Sequence, residues 1–435
     1  MKKIAVIGTG YVGLVSGAGL SDFGNTVVCA DININKINQL NHGDIPIYEP
    51  GLKEIVQRNV LSGRLSFSGN IDDSIEESDV IFIAVGTPEG ENGSSNLDAI
   101  FKVARAIGEN LNGYKVICTK STVPIGTGLK IMEEISKYSK SEIKFDYISN
   151  PEFLREGSAV KDFLWPDRVI IGASNQKAIN IMKEVYRPLY INETPIIETT
   201  IQTAELIKYS SNAFLAVKIS YINEIANICD KIGADVHIVS KAMGIDGRIS
   251  PKFLHPGPGY GGSCFPKDTK ALISTADELG IELKVITGAV EANQSQKELM
   301  VVKLMTLMEN NVANKKIAIL GLAFKAQTDD IRESPAIDMI DVLLKNGAIV
   351  NAYDPESNEN MKKRFDNLNV YDSWEDAVSD VDCVAIMTEW NEFRGLDLKR
   401  LKELVKSPVI LDCRNILRAK DLQILGFKFD NVGRK

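Results

Sequence analysis

The chain has 435 residues, 44% of them hydrophobic and 25% charged, with a formal net charge of -8. That length implies two or three domains with substantial cores. The charge argues against a general nucleic-acid binder while leaving room for a local cationic pocket. No run is long and apolar enough to span a bilayer, and the N-terminal run is better explained by its glycines than as a signal peptide, so a cytoplasmic protein is expected.

Lys3 to Ile7 is a short apolar run that ends in Gly8-Thr9-Gly10-Tyr11-Val12-Gly13, a GxGxxG between a predicted strand and a predicted helix. The glycines permit a tight turn and close approach of a pyrophosphate, and the helix start supplies amide donors and positive dipole. The following strand, TVVCAD, ends in Asp31. Its carboxylate can accept both ribose hydroxyls and would repel a 2′-phosphate, so NAD is favoured over NADP; Lys36 is the nearby residue that argues the other way. The alternation continues with Asp79 to Pro88, a buried parallel run whose end, Gly86-Thr87-Pro88, is expected to face the cofactor. YKVICTKSTVP is another, ending at Ser121-Thr122, and FDYISNPEF delivers Asn150, Pro151 and Glu152. Glu152 and Glu156 flank Phe153-Leu154-Arg155 at a four-residue spacing, which puts both carboxylates on one face if the segment is helical. A solvated helix start is the alternative.

From Ile196 to Ile232 there is no glycine or proline, and most of this stretch is predicted as one long helix, a spine between domains or subunits. Lys208 and Asn212 share a face of it. They form either a solvated polar stripe or an ammonium and an amide aimed into a cleft as oxyanion donors. Gly257 to Thr269, GPGYGGSCFPKDT, is too rich in glycine and proline for regular structure and carries Cys264 close to Lys267 and Asp268. A cation near a thiol favours the nucleophilic thiolate; a surface turn with an incidental cysteine is the alternative. Cys29, Cys118, Cys229, Cys383 and Cys413 lie in apolar or strand-like settings, where cysteine is a small buried hydrophobe, so Cys264 stands apart. There is no CxxC and no zinc spacing, so no metal is expected, and dispersed cysteines suit a reducing compartment.

After Asn314 the pattern restarts with KKIAILGLAF, a helical SPAIDMIDVLLKNGA and IVNAYDP, a strand ending in Asp354; VDCVAIMTEW and SPVILDC add two more strands. This is a second doubly wound unit without GxGxxG in its first turn, so a nucleotide would bind it differently, with Lys325 and Arg332 as phosphate-binding candidates.

Taken together, GTGYVGL, GTP, STVP, NPEFLREGSAVKDFLWPDRVIIG, KYSSN, GYGGSCFPKDT and AFKAQTDDIRESPA closely resemble the UDP-glucose dehydrogenase family of nucleotide-sugar dehydrogenases, in the same order and along the whole chain. The fold expected is α/β. A Rossmann domain for NAD (residues 1–196) and a Rossmann-like UDP-sugar domain (314–435) are joined by a long central helix. An all-α dimerisation region (197–313) carries the cysteine loop. The resemblance implies a four-electron oxidation of UDP-glucose to UDP-glucuronate with NAD, Cys264 trapping the aldehyde as a thiohemiacetal that is oxidised to a thioester and hydrolysed. By the same resemblance, Lys208 and Asn212 stabilise the oxyanion. Thr122 and Asp268 position water or act in proton transfer, Glu152 is the hydrolytic base, and Glu156 lies beside the nicotinamide. Phe153, Leu154, Arg155, the loop Phe253-Leu254-His255-Pro256-Gly257 through Tyr260 and Gly261, Lys325 and Arg414 bind the nucleotide sugar. Arg248 reaches a neighbouring subunit's site, making a homodimer the minimum, and Lys36, Lys267 and Arg332 help hold NAD beside Thr87 and the glycine turn. Relatives acting on other UDP- or GDP-sugars share this architecture and remain the alternative. A single-step hydroxy-acid dehydrogenase gives Cys264 no role. A nucleotide-sugar epimerase needs Tyr-x-x-x-Lys, which is absent here, and a non-catalytic nucleotide sensor does not require the cysteine, base and oxyanion groups together.

Overall fold

The apolar runs form two separate sheets in the computed structural model, which describes residues 1–90 and 93–434. The chain divides into two units, Met1–Ser211 with Lys270–Gly280 and Asn212–Thr269 with Ile281–Lys435. In the first, β1 (Lys3–Ile7), β2 (Thr26–Ala30), β3 (Leu65–Ser68), β4 (Val80–Ile83), β5 (Lys115–Thr119), β6 (Phe145–Ser149), β7 (Val169–Ala173) and β8 (Ile196–Thr199) lie in the order β3-β2-β1-β4-β5-β6-β7-β8. All pairs are parallel except β6 with β7. Ile4 and Val6 join one buried cluster and Ala5 and Ile7 the other, so the central strand is covered on both faces. This is why it reads as a continuous apolar run rather than an alternating one.

The second unit holds β9 (Lys316–Leu320), β10 (Ile349–Tyr353), β11 (Asn369–Val370), β12 (Cys383–Ile386), β13 (Val409–Asp412) and β14 (Lys428–Asn431), all parallel, in the order β11-β10-β9-β12-β13-β14. Both sheets therefore contain the doubly wound 3-2-1-4-5-6 order, whose strand-order reversal lies beside the first strand. Its β9 repeats the two-sided pattern, with Ile317 and Ile319 on one cluster and Ala318 and Leu320 on the other. Lys303, on the helix Lys284–Leu307, donates to Asp230 at 2.6 Å and to the Asn431 carbonyl at 2.5 Å. It thereby fixes that helix and the end of the long helix against β14.

The stretch Ile196 to Ile232 is not helical throughout. Ile196–Thr199 is taken by the ladder to β7, and Thr200 then accepts from the Thr203 amide at 3.2 Å and starts the helix Ile201–Ile232. At 32 residues that helix is far longer than a globular average. Sheet pairing beats helix propensity here because the edge of β7 is open to β8.

The glycine turn after β1 gives a stability test. A Cβ on Gly13 would lie 1.9 Å from the Gly8 carbonyl oxygen, whereas one on Gly10 would meet no protein atom within 4 Å. Gly13→Ala is expected to cost about 1–3 kcal/mol through forced backbone movement and to lower Tm by several degrees. Gly10→Ala should leave Tm of the ligand-free protein unchanged, and thermal denaturation of the two side by side checks this.

Candidate active site

Three local arrangements place the chemistry-bearing residues. At the end of β1, Gly8 adopts φ +102° and donates to the Ala30 carbonyl at 2.7 Å, which carries the β1–β2 ladder one step further before the chain turns into the helix. The space over Gly10 lies at the start of the helix Tyr11–Asp22, whose first amides have no side-chain cap. Val12 and Gly13 continue that first helical turn. Asp31 accepts from the Thr9 amide and hydroxyl, both at 2.8 Å, and from the Asn33 amide at 2.9 Å. Partial burial pushes its pKa up, but the Asn33 and Thr9 donors, with the Lys36 charge, outweigh that and hold it below the usual carboxylate range. Lys36 therefore reinforces the ionised Asp31. An open volume over Gly10, uncapped amides and an ionised carboxylate fit the pyrophosphate and ribose of NAD. Thr87 donates to the Thr122 carbonyl at 2.9 Å and Ser121 to the Val85 carbonyl at 2.7 Å, so the ends of β4 and β5 are tied beside one another. Glu49, which the sequence reading missed, accepts from the Tyr11 hydroxyl and from the Gly157 and Ala159 amides at 2.6 and 2.7 Å. It binds the glycine turn to the segment that follows Glu156.

The second arrangement follows β6. Residues 151–155 are irregular, so the four-residue spacing does not put Glu152 and Glu156 on one helical face. Nor is Glu152 a solvated helix start. It is 4% exposed and paired at 2.9 Å with Lys208, 3% exposed, while its other oxygen accepts from the Leu154 amide at 2.6 Å. The reason is local: Asn150 is anchored to the Thr119 and Ile170 carbonyls, and Pro151 cannot donate, so the chain leaves β6 without helix nucleation. Phe153 lies under the Arg168 guanidinium at 3.6 Å, with the Lys208 ammonium 5.4 Å from its ring. Arg155 is held by Asp162 at 2.6 Å, and Glu156 is half-buried. Lys120 was also missed. Its ammonium is buried and donates to Asn150 Oδ1 at 3.1 Å and to the Tyr186 hydroxyl at 3.3 Å. Burial lowers its pKa to about 8. A lysine directly after an apolar strand was the available signal for it.

The third lies in the second unit. Cys264 precedes the helix Phe265–Glu278, and its carbonyl accepts from the Asp268 amide at 2.8 Å. The thiol therefore stands at a helix N-terminus, where positive dipole favours a thiolate. Asp268 is buried between the Asn212 amide at 2.7 Å and the Lys267 ammonium at 2.5 Å, so Lys267 pairs with the aspartate. The five other cysteines are buried, and burial pushes Cys29 and Cys383 up to about 12 and raises Cys118, Cys229 and Cys413. Cys264 alone is partly exposed.

Around it the loop from Phe253 to Gly261 is built by side-chain amides. Gly257 donates to Asn223 at 2.8 Å and accepts from Gln296 at 2.8 Å, while Asn293 bonds both backbone groups of Tyr260. Leu254, Pro256, Gly257 and Tyr260 are buried, Phe253 is half-buried and His255 is exposed. A Cβ on Gly261 would lie 2.2 Å from the Glu333 carbonyl, and one on Gly257 3.3 Å from the Arg414 guanidinium. Arg414 in turn donates to the Phe324 and Met387 carbonyls at 2.7 and 2.8 Å. The loop, the turn after β9 and Arg414 are thus one assembly, with half-buried Lys325 on that turn. Arg332 and Arg248 are exposed and chelated by Asp330 and Asp246. Asp354, at the end of β10, is sealed by the Leu322, Ala323, Glu356 and Ser357 amides and the Trp390 indole.

Comparison with known proteins identifies the family. The UDP-glucose/GDP-mannose dehydrogenase family matches in three parts: its NAD binding domain over residues 2–190, its central domain over 202–295 and its UDP binding domain over 318–419. A UDP-glucose 6-dehydrogenase of Rhizobium meliloti is 48% identical, the match covering 99% of both chains. One of Bacillus subtilis is 47% identical, over 100% of this chain and 94% of the relative. The solved UDP-glucose dehydrogenase of Pyrobaculum islandicum superposes with a TM-score of 0.91 at 35% identity, over 99% of this chain and 96% of that one. Domain models in order along the sequence, full-length relatives and a shared fold lead to one conclusion: the chain belongs to the UDP-glucose/GDP-mannose dehydrogenase family.

Proposed function

We propose that the chain oxidises UDP-glucose to UDP-glucuronate at a covalent cysteine site. The observation that carries this is Cys264 at a helix N-terminus, one turn before a buried Asp268 held by Asn212 and Lys267. NAD, when bound, supplies the hydride acceptor for both oxidations. The glycine turn and Asp31 hold its pyrophosphate and ribose, with Thr87 and Thr122 at the adjoining strand ends and Glu156 on the nicotinamide side. Lys36, Lys267 and Arg332 contribute charge. Phe153, Leu154, Arg155, the 253–261 loop, Lys325 and Arg414 hold the nucleotide sugar.

The first oxidation removes a hydride and the hydroxyl proton from the sugar's primary alcohol. The Cys264 sulfur then bonds to the aldehyde carbon, and protonation of the oxygen gives a thiohemiacetal. Its oxidation leaves a thioester. Lys208 and Asn212 stabilise the oxyanion that forms when water attacks, and Glu152 takes the water's proton. The C–S bond breaks, and Cys264 leaves as thiolate. Covalent capture lets one site perform both oxidations without losing the aldehyde. The supply of NAD and the reduced thiol suit the cytoplasm; among the described residues no helix is long and apolar enough to cross a membrane.

The assembly is a homodimer or a larger homo-oligomer. Phe214, Tyr221 and Ile228 recur every seven residues on the long helix as exposed apolar side chains, and Ile238 and Ile245 do so on the helix Val236–Ile245. Phe214 is 64% and Ile245 77% exposed, a patch of the kind that covers itself with a second copy. Arg248 follows the helix Val236–Ile245, and in this reading it leaves Asp246 to reach across to that copy's site.

Wild type should make two NADH per sugar consumed with little free aldehyde. Cys264→Ala should lose overall turnover by about a thousandfold or more, and Glu152→Gln should accumulate a thioester visible as added mass on the intact protein. One NADH per sugar with an unmodified mass would overturn the covalent route, and a panel of UDP- and GDP-sugars in the same assay identifies the sugar. Asp31→Ala should narrow the NAD-over-NADP preference by about tenfold; equal kcat/KM for both cofactors in wild type would refute the role of Asp31. Phe214→Glu with Ile228→Glu should give a folded species of monomer mass by light scattering, and an unchanged oligomer would reject the helical interface.

A further inference from the structure

Lys120 is 6% exposed, yet among the described residues its ammonium donates to Asn150 and Tyr186 and to no carboxylate. Its acceptors are Asn150 Oδ1 and the Tyr186 hydroxyl, and that hydroxyl donates at 2.7 Å to the same Asn150 oxygen. The Phe163 and Tyr186 rings stand 6.0 and 5.7 Å away, so aromatic faces make up much of its surroundings. An ammonium in such a place is unfavourable for stability unless something else requires it. Asn150 begins the Asn150-Pro151-Glu152 turn, and its other amide atom is fixed to the Ile170 carbonyl at 2.7 Å. The charged and titratable groups that act on Lys120 come from each element around it. They are Cys118 on the strand just before it, Glu152 on the turn, Lys208 on the long helix and Tyr186 after the helix Gln176–Val185. Glu152 attracts its charge and Lys208 repels it.

We propose that Lys120 is a positioning residue for the hydrolytic half of the reaction: its buried ammonium clamps Asn150, and so the turn that carries Glu152, and places a second positive charge behind that carboxylate. The Glu152–Lys208 pair cannot do this alone. One Glu152 oxygen is committed to Lys208 and the other to the Leu154 amide, so nothing in that pair fixes the strand end from which the turn departs. The Thr119 and Ile170 carbonyls hold the Asn150 amide groups, and Lys120 and Tyr186 complete the fixation by meeting at its remaining oxygen. The inference rests on the reading of Glu152 as the base.

The test is Lys120→Met, which keeps length and removes charge, with Asn150 still satisfied by Tyr186. The variant should fold with Tm equal to or above wild type at pH 7. Its kcat should fall by about tenfold or more with KM for the sugar little changed, and the thioester should accumulate on the intact protein during turnover. Because the folded ammonium titrates near 8 rather than near 10.5, wild type bears the cost of the buried charge below about pH 8 and is relieved of it as pH rises toward the unfolded value. The Tm gap between the variant and wild type should therefore close across that window. Tyr186→Phe should slow kcat in the same direction, and the double variant should fall short of the product of the two effects, since both act through Asn150. Unchanged kcat in Lys120→Met overturns the proposal whatever the stoichiometry of the wild type. The same holds if loss of kcat comes with loss of Tm and no thioester, which would make Lys120 merely structural. The count of NADH per sugar in wild type tests the reading of Glu152 separately.

Discussion

A carboxylate and an ammonium 2.9 Å apart, each almost without water, fix the geometry of the first unit's chemistry. Removing one partner of such a pair leaves an unpaired buried charge and typically costs about 3–5 kcal/mol. The turn after β6 and the start of the long helix must therefore stay in register wherever Glu152 and Lys208 remain. One helical turn further on, Asn212 is held by Asp268, and Asp268 stands one turn after Cys264. The helix thus carries two polar contacts at i and i+4, Lys208 to Glu152 and Asn212 to Asp268. Such contacts explain why a polar pair is tolerated on a mostly apolar helix, and why it is not a solvated stripe.

Much of this was readable from residue order, because the relevant signals are local. GxGxxG and Asp31 are legible since a turn, a helix start and a strand end occupy one short segment. The two sheets are legible since strands covered on both faces are apolar throughout. The isolation of Cys264 follows from what surrounds the other five cysteines. What escaped were groups whose partners lie far along the chain. Glu49 meets residues more than one hundred positions away, at Gly157 and Ala159. Lys120 meets Tyr186 across 66 positions. The four-residue spacing of Glu152 and Glu156 counts only in a helix, which Pro151 and the ties on Asn150 prevent, and where the long helix starts within Ile196 to Ile232 depends on β7, whose edge takes Ile196 to Thr199.

The two sheets share an order but not a chemistry, and the contrast lies in one acid each. Asp31 ends β2, partly exposed, with its donors confined to Thr9 and Asn33. Asp354 ends β10 at the corresponding place and is wholly enclosed by four backbone amides and the Trp390 indole. A carboxylate saturated by its own chain has no lone pair left for a ribose. The second unit therefore keeps the architecture of a dinucleotide fold, while its glycine-rich loop, Arg414 and the turn after β9 pack together in one assembly.

That repetition has a consequence for how the chain is made. Lys2 to Gly8 reads KKIAVIG and Lys315 to Gly321 reads KKIAILG, and each segment forms the strand beside which its sheet reverses order. By side-chain size and pattern, either segment suits the other's place, so an unfolded full-length chain faces a choice between two nearly equivalent pairings. Parallel sheets assemble slowly because their partners are distant in sequence, which lengthens the time available for a wrong choice. Synthesis from the N-terminus removes most of the ambiguity. All eight strands of the first sheet have been made by Thr199, before Lys316 emerges. Refolding from denaturant has no such ordering, and the nascent chain therefore reaches its two sheets by an easier route than the same chain diluted from urea.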